Sequence, residues 1–274
     1  MPELPEVETI VRDLKKELKG KKITAVLIEK SYVTHPAKEQ FVKALLNSNI
    51  KDIRRIAKVI ALELSNGNFL TFHLAMTGRL LLKSAGDAKE AHTKVILEFE
   101  DGKQLRFSDV RMFGYVRLLN QDEFEALKNK YGPSPFHKSL TTEKLVEILG
   151  KKKTQIKRAL LEQDLISGLG NIYANDSLWI AMIHPQTDTK KIDLNKAEKL
   201  LLAMQEILTE AVAHRGSTLE DLMYVDIYGK SGSHQNHFRV YGRAGKPCIR
   251  CETPIESIII GGRSTYFCPT CQKL

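Results

Sequence analysis

Lys58-Val59-Ile60-Ala61-Leu62-Glu63-Leu64-Ser65-Asn66-Gly67-Asn68-Phe69-Leu70-Thr71-Phe72-His73-Leu74 is two β-rich runs joined at an Asn-Gly pair. Asn-Gly accepts the positive φ angles of a tight hairpin turn, so the stretch predicts two antiparallel strands. Similar runs lie on either side, at Ile23–Ile28, Val95–Phe99 and Tyr115–Leu119, with a second turn signal at Asp101-Gly102. Their spacing predicts a β-sandwich of about 120 residues. Before it, Leu4, Val7, Val11, Leu14 and Leu18 recur at helical spacing and Gly20 supplies a C-terminal stop, which predicts an amphipathic opening helix.

Gly132-Pro133-Ser134-Pro135 breaks the pattern. Proline fixes its own φ and steers the preceding residue away from helix, so a domain boundary is expected there. From Thr141 to about Ala213 the period becomes helical, through Leu145, Ile148 and Leu149, then Ile156, Leu160 and Leu161, then Leu200, Leu201, Met204, Ile207 and Leu208. Gly229–His234 is glycine- and serine-rich and is expected to be a mobile loop; Phe238 to Tyr266 returns to strand-like character. The fold class expected is therefore α+β in three domains: a β-sandwich with flanking helices at 1–131, a helical domain at 132–235 and a hairpin domain at 236–274.

The 274 residues carry 42 Lys and Arg against 33 Asp and Glu, a net charge of +9, which favours a polyanionic partner. Nucleic acid leads and an anionic membrane surface trails. No apolar run approaches the ~20 residues a membrane span needs, and Met1–Glu6 lacks the basic start and apolar run of a secretory signal, so a cytoplasmic protein is expected. In that reducing compartment, Cys248-x2-Cys251 and Cys268-x2-Cys271, separated by residues 252–267, read as one structural zinc rather than two disulfides or four idle thiols. Four sulfurs close the coordination shell, so the metal holds a hairpin and performs no chemistry. Arg263, between Gly261-Gly262 and Ser264 in the intervening loop, suits a phosphate contact and equally suits a solvated turn.

Leu165–Tyr173 runs from one helical pattern into another through Gly168 and Gly170, with Asn171 placed as an N-cap. A helix start of this kind holds a phosphate on its unpaired amides; the same residues equally make a tight turn. At the other end of the chain Pro2 follows the initiator methionine, whose removal would expose a secondary amine. Such an amine has an appreciable neutral fraction near pH 7 and can attack an aldehyde-level carbon. Glu3 and Glu6, three apart, are positioned for acid–base work beside it, or simply complement the dipole of a first helical turn.

Together these pieces resemble the bacterial formamidopyrimidine-DNA glycosylases, and the likeness runs nearly end to end. Pro2-Glu3-Leu4-Pro5-Glu6-Val7-Glu8-Thr9 is similar to the family's catalytic N-terminus, Leu165–Tyr173 to its helix–two-turn–helix, and Val240-Tyr241-Gly242-Arg243 with the four cysteines to its zinc finger. The resemblance implies that Pro2 attacks the sugar C1′, Glu3 moves protons, Glu6 supports the site and Lys58 approaches the lesion and its phosphate. It implies that Asn171 and Arg263 grip phosphates flanking an extruded nucleotide. In His73-Leu74-Ala75-Met76 and Asp109–Gly114, Met76 would fill the vacated stack, Arg111 face the orphaned base and Phe113 wedge the neighbouring pair.

The resemblance implies lesion recognition by Thr77, Ser217 and Thr218, and the sequence departs from relatives at Thr77 and just after Ser217-Thr218. Thr77 stands where many have glutamate or serine, and Leu219-Glu220-Asp221 replaces a common basic or aromatic pattern. The activity implied is excision of oxidised purines and strand cleavage on double-stranded DNA carrying such lesions or abasic sites, by a monomer without membrane partners. Two other readings share the motifs: a non-catalytic binding module on the same scaffold, which a free, reactive N-terminus would exclude, and a zinc-containing helix-turn-helix regulator, which would have no use for Pro2, Glu3 and Glu6.

Overall fold

Hydrophobic spacing and turn chemistry produce, in chain order, α1 (Leu4–Leu18), β1 (Ile23–Ile28), α2 (Lys38–Leu45), β2 (Ile50–Ile56), β3 (Val59–Leu64), β4 (Phe69–His73), β5 (Gly78–Ser84), β6 (Thr93–Phe99), β7 (Lys103–Asp109), β8 (Tyr115–Leu119) and α3 (Gln121–Asn129). After these come α4 (Thr142–Gly150), α5 (Ile156–Ala159), α6 (Asn171–Ile180), α7 (Leu194–Ala213), β9 (Glu256–Ile260) and β10 (Arg263–Phe267). The structure, a computed structural model, describes residues 2–220 and 222–274. Met1, whose removal the sequence reading invokes, and Asp221, in the altered loop, lie outside the described residues. No helix among the described residues is long and apolar enough to cross a membrane.

The chain divides into two units, one formed by residues up to Asn129 with His214–Ser233, the other by Lys130–Ala213 with His234–Leu274. In the first, the Asn66-Gly67 turn closes the expected hairpin with Gly67 at φ +82, and Leu62 sits opposite Leu70. Two antiparallel four-stranded sheets form, ordered β1-β6-β7-β5 and β2-β3-β4-β8. Leu62, Leu70 and Phe72 of one sheet and Leu97, Leu105 and Phe107 of the other share a single core with Val7, Ile10, Val11, Leu14 and Leu18 of α1. β3 is buried along nearly its whole length because its other face is covered as well: Ala61, Phe69 and Leu119 meet Phe124 of α3, with the Phe69 and Phe124 rings stacked 3.9 Å apart.

The expected helical domain at 132–235 does not stay whole, because its last stretch, His214–Ser233, belongs to the first unit. Segment 214–233 packs with the sandwich: Tyr224 and Ile227 join its core, the Leu82 amide donates to the Ile227 carbonyl at 2.8 Å, and Arg215 pairs with Asp13 of α1 and with Asp226. Lacking any period of its own, the segment gives no sequence signal of which core buries it. Nor is Gly229–His234 a free loop. Gly232 donates to Thr218 Oγ1 at 2.9 Å, and a Cβ on Gly232 would lie 2.2 Å from the Gly216 carbonyl oxygen.

In the second unit the expected apolar residues of α4, α5 and α7 are buried, Leu161 being only half-buried. Thr141 caps α4 by accepting from the Lys144 amide at 3.2 Å. The cysteine hairpin is not a separate body, since Trp179 of α6 shares a cluster with Val240, Cys248, Ile255 and Cys268. Between Phe238 and Tyr266 only β9 and part of β10 are strand. The stretch before them is turns: the amides of Arg239, Val240 and Tyr241 bond to Asp176 of α6, and those of Arg243 and Lys246 close local turns on Val240 and Arg243.

Candidate active site and nucleic-acid interface

The first unit buries the N-terminal residues. Pro2, Glu3 and Glu6 are all buried, the two carboxyls at 2% and 1% exposure. Glu3 caps α1, and the Glu6 side chain turns back so that Oε2 accepts from the Glu3 amide at 2.8 Å. Its other oxygen, Oε1, accepts from the Ser217 amide at 2.7 Å. Burying a carboxyl is costly unless its lone pairs are used, and here two main-chain amides use them.

Gly216 makes this approach possible. It has φ +80, and a Cβ there would lie 2.7 Å from Glu6 Oε1. The loop that brings Ser217 to Glu6 is anchored by Arg215 between Asp13 and Asp226, and by Tyr224, whose hydroxyl donates to the Arg215 carbonyl at 2.9 Å. Burial, followed by the Glu6 charge, pushes the Tyr224 hydroxyl well above the usual tyrosine range, which keeps it a donor. Thr218 donates to the Tyr224 carbonyl at 2.9 Å, so its hydroxyl shapes the loop. Arg215 and Gly216 escaped sequence reasoning: nothing local marks an arginine as an anchor or a glycine as making room for a residue far away in the chain.

Lys58 sits half-buried in the two-residue turn between β2 and β3, after Ala57 at φ +53. Burial and the Lys58 charge hold the His73 imidazole below its ordinary pKa, and its ring lies 5.3 Å from that of Tyr115.

Met76, Arg111 and Phe113 come together on the loops after β4 and β7. Met76 is 41% and Phe113 57% exposed. The Arg111 guanidinium lies 4.6 Å from the Phe113 ring centroid, and its Nη1 is 3.6 Å from Met76 Sδ. Thr77 is buried beneath them, its Oγ1 donating to Asp109 Oδ1.

In the second unit Asn171 is not the N-cap of α6. Gly170 holds that position, and Asn171, the first helical residue, donates through Nδ2 to the Ser264 carbonyl at 3.0 Å, beside Arg263. Arg263 itself is exposed at the start of β10, just after the Gly261-Gly262 turn. Two further α6 residues tie in the same hairpin and the turns before it. Asn175 Oδ1 accepts from the Tyr266 amide at 2.9 Å, and the buried Asp176 accepts from the amides of Arg239, Val240 and Tyr241 at 2.9 to 3.0 Å. Burial raises the Asp176 pKa against the pull of those three amides. The buried Lys157 donates to the Asn171 carbonyl at 3.2 Å. These residues were missed because a polar residue on a helix reads as solvated until its partners are known.

The four cysteine sulfurs all lie within 4.8 Å of one another, with neighbouring pairs at 3.4, 3.4 and 3.9 Å. That is far beyond the ~2.05 Å of a disulfide and close to the ~3.8 Å that four thiolates at about 2.3 Å from a tetrahedral zinc require. Trp179 Nε1 and the amides of Arg250 and Cys271 donate to Cys248 and Cys268 at 3.4 to 3.5 Å, as donors around a thiolate metal site do. The donors of Thr253 draw Cys251 down to about 6, while burial and neighbouring thiols push Cys271 up to about 12. A divalent cation removes that mutual penalty. The residues fit one structural zinc, which when bound cross-links the two turns of the hairpin.

Three family descriptions match in succession: the formamidopyrimidine-DNA glycosylase N-terminal domain over residues 1–116, the H2TH domain of the same enzymes over 131–222, and the zinc finger found in FPG and IleRS over 245–274. The chain belongs to the formamidopyrimidine-DNA glycosylase family. Proteins of that name from Herpetosiphon aurantiacus and Desulforamulus reducens are 40% and 42% identical to it, the first over 99% of this chain and 100% of the relative, the second over 100% and 99%. Among solved structures, Lactococcus lactis Fpg in complex with DNA containing an abasic site superposes with a TM-score of 0.91 at 35% identity, covering 99% of this chain and 100% of that one. MutM in complex with DNA containing carbocyclic 8-oxo-G gives 0.91 and 35%, covering 100% of both chains.

Proposed function

We propose that the protein is a base-excision repair DNA glycosylase and abasic-site lyase. It extrudes oxidised purines, 8-oxoguanine and formamidopyrimidines, from duplex DNA, excises them through a Schiff base on Pro2 and nicks the strand by elimination. The observation that carries the reading is the start of α1, where Glu6 fixes the Glu3 backbone at 2.8 Å and the next residue back is a proline. The names of its relatives, and the abasic and lesion-bearing DNA in the solved neighbours, support the same reading.

With Met1 removed, the Pro2 nitrogen is a secondary amine that attacks C1′ and displaces the damaged base, which departs with the glycosidic electron pair and a proton. Opening of the sugar leaves an iminium on C1′. This acidifies the C2′ proton, whose loss expels the 3′ phosphate; water then releases the proline. Glu3 carries the proton transfers and Glu6 holds the backbone that presents them, while Lys58 serves the lesion and its phosphate. Met76, Arg111 and Phe113 occupy the space the base leaves, which offsets the few kcal/mol that unstacking costs. Ser217 and Thr218 shape the loop that meets the extruded base, and Asn171 and Arg263 hold flanking phosphates. The protein works as a monomer in the bacterial cytoplasm.

Borohydride trapping on abasic and 8-oxoguanine duplexes, followed by peptide mapping of the adduct, tests this. Attachment at the Pro2 nitrogen is the expected result. An adduct on Lys58 in the wild type, or DNA binding without any adduct from protein shown to begin at Pro2, would overturn the mechanism, and the second outcome would leave a binding module on the same scaffold.

A further inference from the structure

The loops carrying Met76 and Arg111–Phe113 leave different strands, yet one buried side chain closes both. Asp109, the last residue of β7, is 1% exposed. Its Oδ1 accepts from Thr77 Oγ1 and from the Arg111 amide at 3.2 Å; its Oδ2 accepts from the Gly114 amide at 2.7 Å. Thr77 Oγ1 in turn accepts from the same Arg111 amide at 3.2 Å. A hydroxyl has one hydrogen, and that of Thr77 is committed to Asp109.

The backbone around this pair adopts conformations that L-residues avoid. Ala75 has φ +48 and Met112 φ +59, each costing about 1 kcal/mol or more, so surrounding contacts must hold them. Gly114 packs so tightly that a Cβ would fall 2.7 Å from the His73 carbonyl oxygen and 3.0 Å from Asp109 Oδ2. Above the pair, the Arg111 side chain touches both Phe113 and Met76.

We propose that Thr77 and Asp109 are positioning residues forming a clamp between the two loops, so that Met76, Arg111 and Phe113 meet DNA as one preassembled wedge, and that Thr77 serves this clamp rather than lesion reading. The role of the wedge rests on the function proposed above; the clamp itself is a property of the free protein. Ordering two loops at the moment of insertion would charge its entropy to base extrusion, whereas a clamp moves that cost into folding.

Two measurements on the full-length, zinc-loaded protein test this, with Thr77→Val, which keeps the shape and removes the hydroxyl, Thr77→Ser, which keeps the hydroxyl, and Asp109→Asn. In amide hydrogen exchange of free protein, Thr77→Val should speed exchange not only around residue 77 but across residues 110–114, and Thr77→Ser should restore protection. Acceleration confined to the Thr77 loop would overturn the clamp whatever the enzyme does. In the second measurement, Thr77→Val should lower the ratio of 8-oxoguanine excision to cleavage of a preformed abasic site about tenfold, the size of one hydrogen bond to a charged group. Thr77→Ser should keep the wild-type ratio, and Asp109→Asn should lower it at least as far, with the double variant no worse than Asp109→Asn alone. An unchanged ratio, or a changed preference between 8-oxoguanine and formamidopyrimidine, would assign Thr77 to another role. Wild type that cleaves neither substrate would instead sink the function reading, and hydrogen exchange would still decide the clamp.

Discussion

Two regions of the first unit, both assigned to the same reaction, are built on opposite principles. At the start of α1 the groups are sealed in: Glu3 and Glu6 are nearly inaccessible, and main-chain amides from both chain neighbours and a distant loop hold Glu6. On the loops after β4 and β7, Met76 and Phe113 are left 41% and 57% exposed, with the backbone below them fixed and the Arg111 side chain against both. The difference follows from what the proposed function asks of each. A proton-transferring carboxyl has to be placed to a fraction of an ångström and kept from water, so its supports are within the fold. Side chains that fill a vacated base stack find their packing partner in DNA, so the protein anchors their backbone and leaves much of their surface open to solvent.

The sharpest way to break the comparison is at the sealed end. Glu3→Gln removes a proton donor and acceptor while preserving shape, and should lower base excision by roughly 10²–10⁴ while leaving DNA affinity close to wild type. If single-turnover excision survives, the buried carboxyl is structural and the contrast collapses. Next in size, chelation of the zinc should abolish DNA binding, because the hairpin carrying Arg263 depends on the four thiolates. The sandwich has its own core. Its melting, followed by circular dichroism, should persist after the metal is gone; joint loss of both would show that the hairpin is not an independent support.

Gly216→Ala sharpens the contrast from the structural side. A methyl 2.7 Å from Glu6 Oε1 at φ +80 should cost about 1–3 kcal/mol in urea unfolding and depress excision alongside. Unchanged stability would mean that the loop can retreat from Glu6 freely. The smallest expected effect lies at the exposed end, where Phe113→Ala should change stability by no more than about 0.5 kcal/mol. It should nevertheless slow excision from intact duplex more than cleavage of a preformed abasic site, since an abasic nucleotide has no base to unstack. Equal losses on the two substrates would remove Phe113 from the wedge.

The sequence by itself marked the local signals, namely several of the elements and the metal site. Apolar period marked α1 and the helices of the second unit, Asn66-Gly67 marked the β3–β4 hairpin, and paired cysteines marked the zinc site, because each of these signals lies within a few residues of chain. Pro2, Glu3 and Glu6 stood out as candidate catalytic residues for the same reason. Tertiary structure alone decided what those residues touch. It set Gly216 and Ser217 against Glu6, placed segment 214–233 in the first unit, put Gly170 rather than Asn171 at the N-cap of α6, and turned Asp109, Asn175 and Asp176 from ordinary polar residues into buried holders of backbone. A buried acceptor is defined by the amides that reach it, and those amides come from strands, turns and loops whose approach is fixed only when the cores have formed.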